Sequence, residues 1–475
     1  MFYTKKYELK TLPSILQSGE TMLWTTPKYR FRIPIDDDPE QLKEIVIDVT
    51  ASAPPFKEPS DDLKEVLRDT FKSYNIRTIV EFGAGKLKNI PFILDQGKTV
   101  CAVDFKELSQ NPFTKQNLKR CAKYGSKFQK LIFPEPFLRD TKQFDLALLL
   151  NVPPIMPVPA ERLYLLDVLY KKINEDRYLL WVAQKEGSYK PIREAGENSC
   201  GDGLWMGKKR SIKTFYRYHR VEELDEIMAL YGFELIKRYD VGDDARLYKK
   251  TSHRILSGMI TPTRIRTEIP LDDTIKDPIS AEPKLVKKTS SIKSVIPNPK
   301  SLSIESLYIE KISSISTGIS SAETYHRTVS YALGRIFRGS LRNMGIKVDI
   351  DGGVKIIDTV FTNCADNGFF HNLRNKVDCT YPMVEMKSIS VDPTNNELDQ
   401  LNGRLNENRG HFGMLICRSA KDEDRIISRC KTYLPNNYVL VLTDDDIFVL
   451  LEHSRQQEKT ELDDFMDKKL RKILF

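Results

Sequence analysis

Between residues 251 and 320 the chain loses every regular hydrophobic period, and that gap decides how many cores it can build. The segment is rich in Ser, Pro, Lys, Thr and Ile, with runs such as Lys287-Lys288-Thr289-Ser290-Ser291 and Pro297-Asn298-Pro299. A proline removes a backbone donor and fixes φ, so no helical repeat survives it. We read 251–320 as a linker between two folded halves. Its part over 301–316 alternates apolar and polar residues, a pattern that pairs as a strand on either neighbour. At 475 residues the chain exceeds one comfortable core. The expected division is an N-terminal extension (1–60), a first domain (61–250), the linker (251–320) and a second domain (321–475).

Composition excludes several classes. No apolar run approaches the ~20 residues that cross a bilayer, so no membrane partner is expected. The N-terminus, Met-Phe-Tyr-Thr-Lys-Lys, has no apolar signal core, which points to a cytoplasmic protein. Seven cysteines stand singly at 101, 121, 200, 364, 379, 417 and 430. None has CxxC spacing and the count is odd, as for reduced thiols rather than disulfides or a zinc cluster. The net charge of +8 permits a polyanionic partner without demanding one.

After the extension, apolar runs alternate with helix-compatible stretches. Strand candidates are Thr78-Ile79-Val80-Glu81, Thr99 to Asp104, Lys130-Leu131-Ile132-Phe133, Asp145 to Leu150 and Leu179-Leu180-Trp181-Val182; helices fall at Ala160 to Lys172 and Val221 to Tyr231. Unalternated apolar strands in βα units predict a parallel sheet covered on both faces. Glu81-Phe82-Gly83-Ala84-Gly85-Lys86 follows the first strand. Glycines there let a ligand approach the backbone, with helix N–H groups aimed at it. Asp104 ends the second strand, placed to accept from ribose hydroxyls. A dinucleotide fingerprint wants a third glycine where this chain has Lys88, so a pyrophosphate ligand is disfavoured.

The E-x-G-x-G turn, the acidic end of strand two and Phe144-Asp145-Leu146-Ala147-Leu148-Leu149-Leu150-Asn151 together resemble class I S-adenosylmethionine-dependent methyltransferases over about residues 75–250. The resemblance implies that Glu81, Gly83 and Gly85 line the methionine part of the cofactor, that Asp104 binds its ribose, and that Asn151 faces the active cleft. Asp145, at the far end of that strand, takes a structural role. Amino-group DNA methyltransferases carry (D/N/S)-P-P-(Y/F/W) after this strand; here the loop reads Asn151-Val152-Pro153-Pro154-Ile155, with an inserted residue and no aromatic. Lys208-Lys209-Arg210, Lys213, Phe215, Tyr216, Arg217, Tyr218 and Arg220 interleave basic and aromatic side chains, which suits either a nucleic-acid strand or a solvated loop.

The second half opens with an amphipathic helix, Ala322 to Met344, with Gly345 suited to its C′ position. Strands are expected at 346–350, 354–361, up to Lys387, 412–417 and 438–451, the last either continuous or broken at Asp444-Asp445-Asp446, with helices at 395–408 and 421–433. Asp358 lies in one strand; Glu385 and Lys387 lie two residues apart in the next, so they share a face. Burying three such groups beside apolar runs costs several kcal/mol unless they are compensated. A metal site explains that cost better than a bare ion pair.

This order of elements resembles the PD-(D/E)XK core of restriction-endonuclease-like nucleases over about 321–451. The resemblance implies that Asp358 and Glu385 hold Mg²⁺, that Lys387 positions the attacking water, and that Gln400 reaches back to the centre. Ile357 stands where the proline of the name would be. Glu323 is either a further ligand or an acid favoured by the helix dipole. Arg335, Arg338 and Arg342 share one helix face, gripping phosphates or facing water. His326, His371 and His411 form no spaced ligand set.

The expected fold class is α/β throughout: a Rossmann-like methyltransferase fold with a mostly parallel sheet, plus a smaller α/β restriction-endonuclease-like domain. The expected function is a Mg²⁺-dependent DNA endonuclease with an S-adenosylmethionine-binding domain, in restriction or phage defence. Its partners would be double-stranded DNA, a second copy of the chain and a targeting protein. The alternatives are a methyltransferase acting on a non-DNA acceptor and a non-catalytic scaffold that binds nucleic acid.

Overall fold

The computed structural model describes residues 8–11, 27–35, 38–52, 58–187, 189–194, 198–200, 202–207, 212–260, 303–350, 355–456 and 458–475. Most of the linker, the Asp351-Gly352-Gly353 turn and Lys208-Lys209-Arg210 lie outside them. The chain divides into two compact units, Met1–Ser301 and Leu302–Phe475.

The first unit is built on strands β4 (Thr78–Phe82), β5 (Thr99–Phe105), β6 (Phe128–Phe133), β7 (Phe144–Leu150), β8 (Ile173–Ala183), β12 (Phe233–Asp240) and β13 (Asp244–Lys250). They form one sheet in the order β12-β13-β8-β7-β4-β5-β6. β4 to β8 run parallel, and β13 is antiparallel to both neighbours. That order, with one reversed strand, is the Rossmann-like methyltransferase fold. Val80, Val100, Leu146, Leu148 and Leu180 are fully or almost fully buried, because the sheet is covered on both faces. Strand order reverses between β4 and β7, so a crevice opens beyond their carboxyl ends. Ser60 caps the first covering helix, Asp61–Ser73, by accepting from the Leu63 N–H, and Asp61 and Asp62 favour its positive end. At the opposite end of the sheet Asp145 accepts from the N–H groups of Arg77 (2.9 Å) and Thr78 (3.0 Å), a purely structural pairing of β7 with the start of β4.

The N-terminal extension has structure of its own. Strands β1 (Glu8–Thr11), β2 (Lys28–Ile35) and β3 (Asp38–Asp48) form an antiparallel sheet. A second small sheet joins β9 (Ser199–Cys200), β10 (Gly203–Met206) and β11 (Thr214–Tyr216). The two are tied together: the Asp48 N–H donates to the Lys213 carbonyl (3.0 Å) and the Lys213 N–H to the Val46 carbonyl (2.9 Å).

The second unit holds a five-stranded sheet, β14 (Leu341–Ile350), β15 (Lys355–Asn363), β16 (Met383–Lys387), β17 (Phe412–Cys417) and β18 (Tyr438–Thr443), in that order. β14, β15 and β16 are antiparallel; β16, β17 and β18 are parallel. This is the second α/β layer.

Three expectations fail here. Residues 301–316 form a helix, Ile304–Ser314, not a strand. Ser303 and Ser306 make a capping box, and Ile304, Leu307, Tyr308 and Ile312 are buried on one face. The next helix runs Ile319–Ile336 and stops well before Met344. Gly339 and Ser340 turn the chain, and Leu341 is buried in a strand instead. Arg342 and Gly345 therefore sit on β14, and the three arginines do not share a helix. Finally, the strand from Tyr438 ends at Thr443, and Asp444–Gln456 is helical. Thr443 and Asp446 cap it reciprocally, Thr443 N to Asp446 Oδ2 (2.9 Å) and Asp446 N to Thr443 Oγ1 (3.4 Å). No described helix is long and apolar enough to cross a membrane.

Candidate functional site

In the first unit, the crevice beyond β4, β5 and β7 is a cavity of about 460 Å³. Glu81, Gly83, Gly85, Asp104 and Asn151 all line it. Gly83 and Gly85 adopt φ of +73° and +56°, a left-handed turn that glycine enters without strain. The turn is pinned because the N–H groups of Gly83 and Ala84 both donate to the Val103 carbonyl on β5, at 2.9 and 3.1 Å.

Glu81 is 1% exposed. Its Oε1 accepts from Asn89 Nδ2 (2.6 Å). Its Oε2 and Asn89 Oδ1 are both buried without a hydrogen-bond partner. Burial pushes the Glu81 carboxyl up to about 7 against the pull of Asn89 and Lys88, and Asp104 adds like-charge repulsion. Burial also raises Asp104 to about 6, although the N–H groups of Gly85 and Phe105 oppose it. Each Asp104 oxygen accepts one bond and keeps a lone pair for a ligand hydroxyl. Two orphaned acceptors beside a pinned glycine turn call for a ligand that brings donors.

Asn151 ends β7 with φ of +61° and is exposed. Its Oδ1 accepts from the Gln184 N–H (2.6 Å), while the Pro154 carbonyl accepts from the Arg217 N–H (2.8 Å). Both oxygens are already engaged by the protein's own backbone.

Several lining residues carried no sequence signal. Tyr29 and Val49 to Ser52 come from the extension, Tyr189 from the helix Tyr189–Glu194 and Asp243 from the turn before β13; Phe215 and Tyr216, on β11, belong to the basic-aromatic stretch that the sequence marked for a different role. The Tyr189 and Tyr216 rings lie 4.1 Å apart. Among the described residues of the basic-aromatic stretch, Phe215 is buried, and Arg217 pairs with Asp202 (2.6 Å) and Glu223 (2.5 Å).

In the second unit, the register decides the geometry. Ile346 pairs with Thr359 and Val348 with Ile357 across β14–β15, and Thr359 pairs with Val384 across β15–β16. Lys347, Asp358 and Glu385 therefore form one row across three strands, with Lys387 two residues beyond Glu385. Asp358 Oδ1 meets Lys347 Nζ at 2.5 Å and His326 Nδ1 at 3.3 Å, and Oδ2 accepts from the Met386 N–H at 2.8 Å. Burial alone would raise the Asp358 carboxyl; His326, Lys347 and the Met386 N–H outweigh it and hold the group well below its usual range. Glu385 is ion-paired with Arg404. Burial and the neighbouring Asp358 still push its carboxyl up, against Arg404. Glu385 Oε1 and Arg404 Nη1 are the facing atoms of that pair.

The structure does not bring the other expected residues to this point. Gln400 is exposed on the helix Asn395–Asn402, whose Leu398 and Leu401 face the core; Arg404 arrives in its place. Glu323 pairs with Arg327 (2.8 Å), and Arg335 pairs with the buried Glu305 (2.6 Å). His371 lies 3.4 Å from the Ala365 carbonyl and His411 2.9 Å from Asn437 Oδ1. Among the described residues no group of three or more His, Cys, Asp or Glu side chains is arranged to hold a metal ion.

No protein-family profile matches the chain, and no curated protein matches it. Solved structures that match its fold include a S-adenosylmethionine-dependent methyltransferase from Methanosarcina mazei (15% identity, 38% of this chain, 97% of that one, TM-score 0.32). A methyltransferase from Streptomyces caelestis matches at 12% identity over 41% of this chain and 91% of its own, TM-score 0.31. A S-adenosylmethionine-dependent methyltransferase from Clostridium acetobutylicum matches at 9% identity over 41% and 93%, TM-score 0.33.

Proposed function

We propose that the first unit binds S-adenosylmethionine and transfers its methyl group to an acceptor other than a DNA base amine. The observation that carries this is the pair of orphaned buried acceptors, Glu81 Oε2 and Asn89 Oδ1, beside the Gly83–Gly85 turn. They fit the ammonium end of the cofactor. Asp104 takes the ribose hydroxyls, and the glycines leave room for the backbone to approach. When bound, the cofactor supplies an electrophilic methyl group on a sulfonium. The loop Asn151-Val152-Pro153-Pro154-Ile155, with its inserted residue and no aromatic, departs from the pattern that orients a base amine, which argues for another acceptor. Calorimetry with S-adenosylmethionine tests the reading. Wild type gives a binding heat and Asp104→Ala loses at least an order of magnitude in affinity; no heat from wild type removes the proposal.

A second reading concerns the second unit: Mg²⁺-dependent hydrolysis of a phosphodiester in DNA, in a restriction or phage-defence role. It is favoured by the single row that carries Asp358 and Glu385, with Lys387 on the same face. Two carboxylates are hard oxygen donors of the kind Mg²⁺ takes, with waters and substrate oxygens completing the octahedron. Asp358 and Glu385 would hold the ion only on parting from Lys347 and Arg404, and the ion would supply charge neutralisation at the phosphate; Lys387 would orient the attacking water. Cutting both strands favours a homodimer or a targeting partner. Plasmid and RNA are incubated with Mg²⁺ or EDTA, beside Lys387→Ala. Metal-dependent cutting lost in the variant supports the reading, and equal cutting by both proteins sinks it.

A further inference from the structure

The cavity of the first unit is lined by two sets of residues of different chemistry. Its charged lining residues, Glu81, Lys86, Lys88, Asp104 and Asp243, all come from strand ends and loops of the central sheet. A second set comes from the extension, the helix Tyr189–Glu194 and the strands β10 and β11. Among the described residues, none of that second set is an acid or a base. It includes the paired rings of Tyr189 and Tyr216, 4.1 Å apart with 36° between their planes. The Tyr216 hydroxyl donates to the Gln184 carbonyl (3.2 Å), which holds its ring in place. The set also carries two polar atoms for which the cofactor has no use. Ser52 Oγ is buried without a hydrogen-bond partner. Tyr29 donates its O–H to the buried Glu161 (2.7 Å), so its oxygen is left with acceptor capacity only. The Val49 N–H donates to the Pro27 carbonyl (3.0 Å), which sets the turn Val49–Ser52 beside the start of β2 and so close to Tyr29.

We propose that this second set is the acceptor subsite, and that the acceptor is a small, uncharged aromatic compound whose ring carries an O–H or N–H. The inference rests on the methyltransferase reading of the first unit and names its substrate class. The rings of Tyr189 and Tyr216 offer an aromatic surface, against which a flat ring gains stacking energy beyond its burial. The ligand's own donor meets the Tyr29 oxygen. Ser52 Oγ, costly to leave buried and unpaired, is free to donate or accept and gains a partner from the ligand. The same wall disfavours charged acceptors. A nucleic-acid strand brings phosphates that need cations, and a charged group buried against these residues would meet no counter-ion.

The test uses the full chain saturated with S-adenosylhomocysteine. The probes are 2-naphthol, its saturated counterpart decahydro-2-naphthol, which shares the hydroxyl and the carbon skeleton but is not flat, and indole, which supplies a ring N–H. Calorimetry should show 2-naphthol binding about tenfold more tightly than the saturated alcohol. Tyr189→Leu, at a half-buried position, should erase most of that preference. Tyr29→Phe and Ser52→Ala should each weaken 2-naphthol about fivefold. All three variants should bind S-adenosylmethionine as wild type does, which shows that the fold is kept. Ser52→Ala should leave the melting temperature of the ligand-free protein unchanged or raised, because no hydrogen bond is lost there; a serine with a structural role would lower it. Equal affinity for the flat and saturated alcohols, no heat from either 2-naphthol or indole, or variants that bind 2-naphthol as wild type does overturns the subsite while S-adenosylmethionine still binds. A wild-type protein that gives no heat with S-adenosylmethionine sinks the methyltransferase reading beneath it.

Discussion

Val152 occupies the space that a side chain on Gly83 would need: a Cβ there would lie 2.3 Å from Val152 Cγ2. The turn after β4 and the loop after β7 are thus fitted to each other, and the ligand-facing backbone at 83 depends on both. Gly83→Ala meets two penalties, the clash and a φ of +73°. It should cost about 1–3 kcal/mol and lower the melting temperature by several degrees. Val152→Ala in the same chain relieves the clash but not the strain, so the double variant should recover only part of the loss. Thermal melts of the three proteins decide this, and full recovery would show that backbone strain at 83 is negligible.

Glu81 gives the cofactor site a pH dependence. Its carboxyl is raised from 4.5 to about 7, so the folded ligand-free protein holds that proton more tightly than the unfolded chain does. A cationic ligand end requires the carboxylate. Affinity for S-adenosylmethionine should therefore be flat above pH 7 and fall about tenfold per unit below it, as binding expels the proton. Glu81→Gln should bind more weakly and with no such slope. Calorimetry between pH 5.5 and 8.5 reads both, and a wild-type profile flat down to pH 5.5 refutes the role given to Glu81.

Asp145 shows the opposite sign. Burial raises its carboxyl, but the N–H groups of Thr78 and Arg77, with Arg177 at 3.5 Å, outweigh that and lower it from 3.8. The ionised group therefore stabilises the fold above the unfolded value, and that contribution disappears as pH falls through the folded value. Asp145→Asn should cost about 1.5–3 kcal/mol at neutral pH and less near pH 3, below the unfolded value of 3.8. It should leave cofactor affinity unchanged, because the residue sits at the opposite end of the sheet from the cavity. Urea melts at the two pH values make the comparison.

What could be read from the sequence was what is local in it. Glu81, Gly83, Gly85 and Asp104 stand at fixed distances from strand ends, and an apolar run followed by glycine is visible in a single line of residues. Asp358, Glu385 and Lys387 were visible for the same reason. Tyr29 and Tyr189 reach the cavity from segments that only folding brings together, and Lys347, His326 and Arg404 reach the acids the same way. Their types and neighbours carry no mark of it. The helix Ile304–Ser314 was legible but misread. Its apolar residues fit a period of two over short spans, and only the Ser303–Ser306 capping box separates the alternatives. Thr443 and Asp446 carry a similar start signal, hidden behind an apolar strand that flows into it without a break.

The Glu385–Arg404 pair yields the last prediction, on stability alone. A buried acid neutralised by a largely covered base contributes little net free energy, because desolvation of both groups offsets their attraction. Removing one partner is different, since the other then remains buried and unpaired. Glu385→Gln should therefore cost about 3–5 kcal/mol, by stranding Arg404. Adding Arg404→Met removes the stranded charge and fills its volume, so the double variant should be more stable than Glu385→Gln and close to wild type. Denaturant unfolding of the second unit's transition measures all four corners of the cycle. If the two single changes simply add, the side chains do not interact across β16 and the loop after the helix Asn395–Asn402, and the neutral pairing of that acid is lost with them.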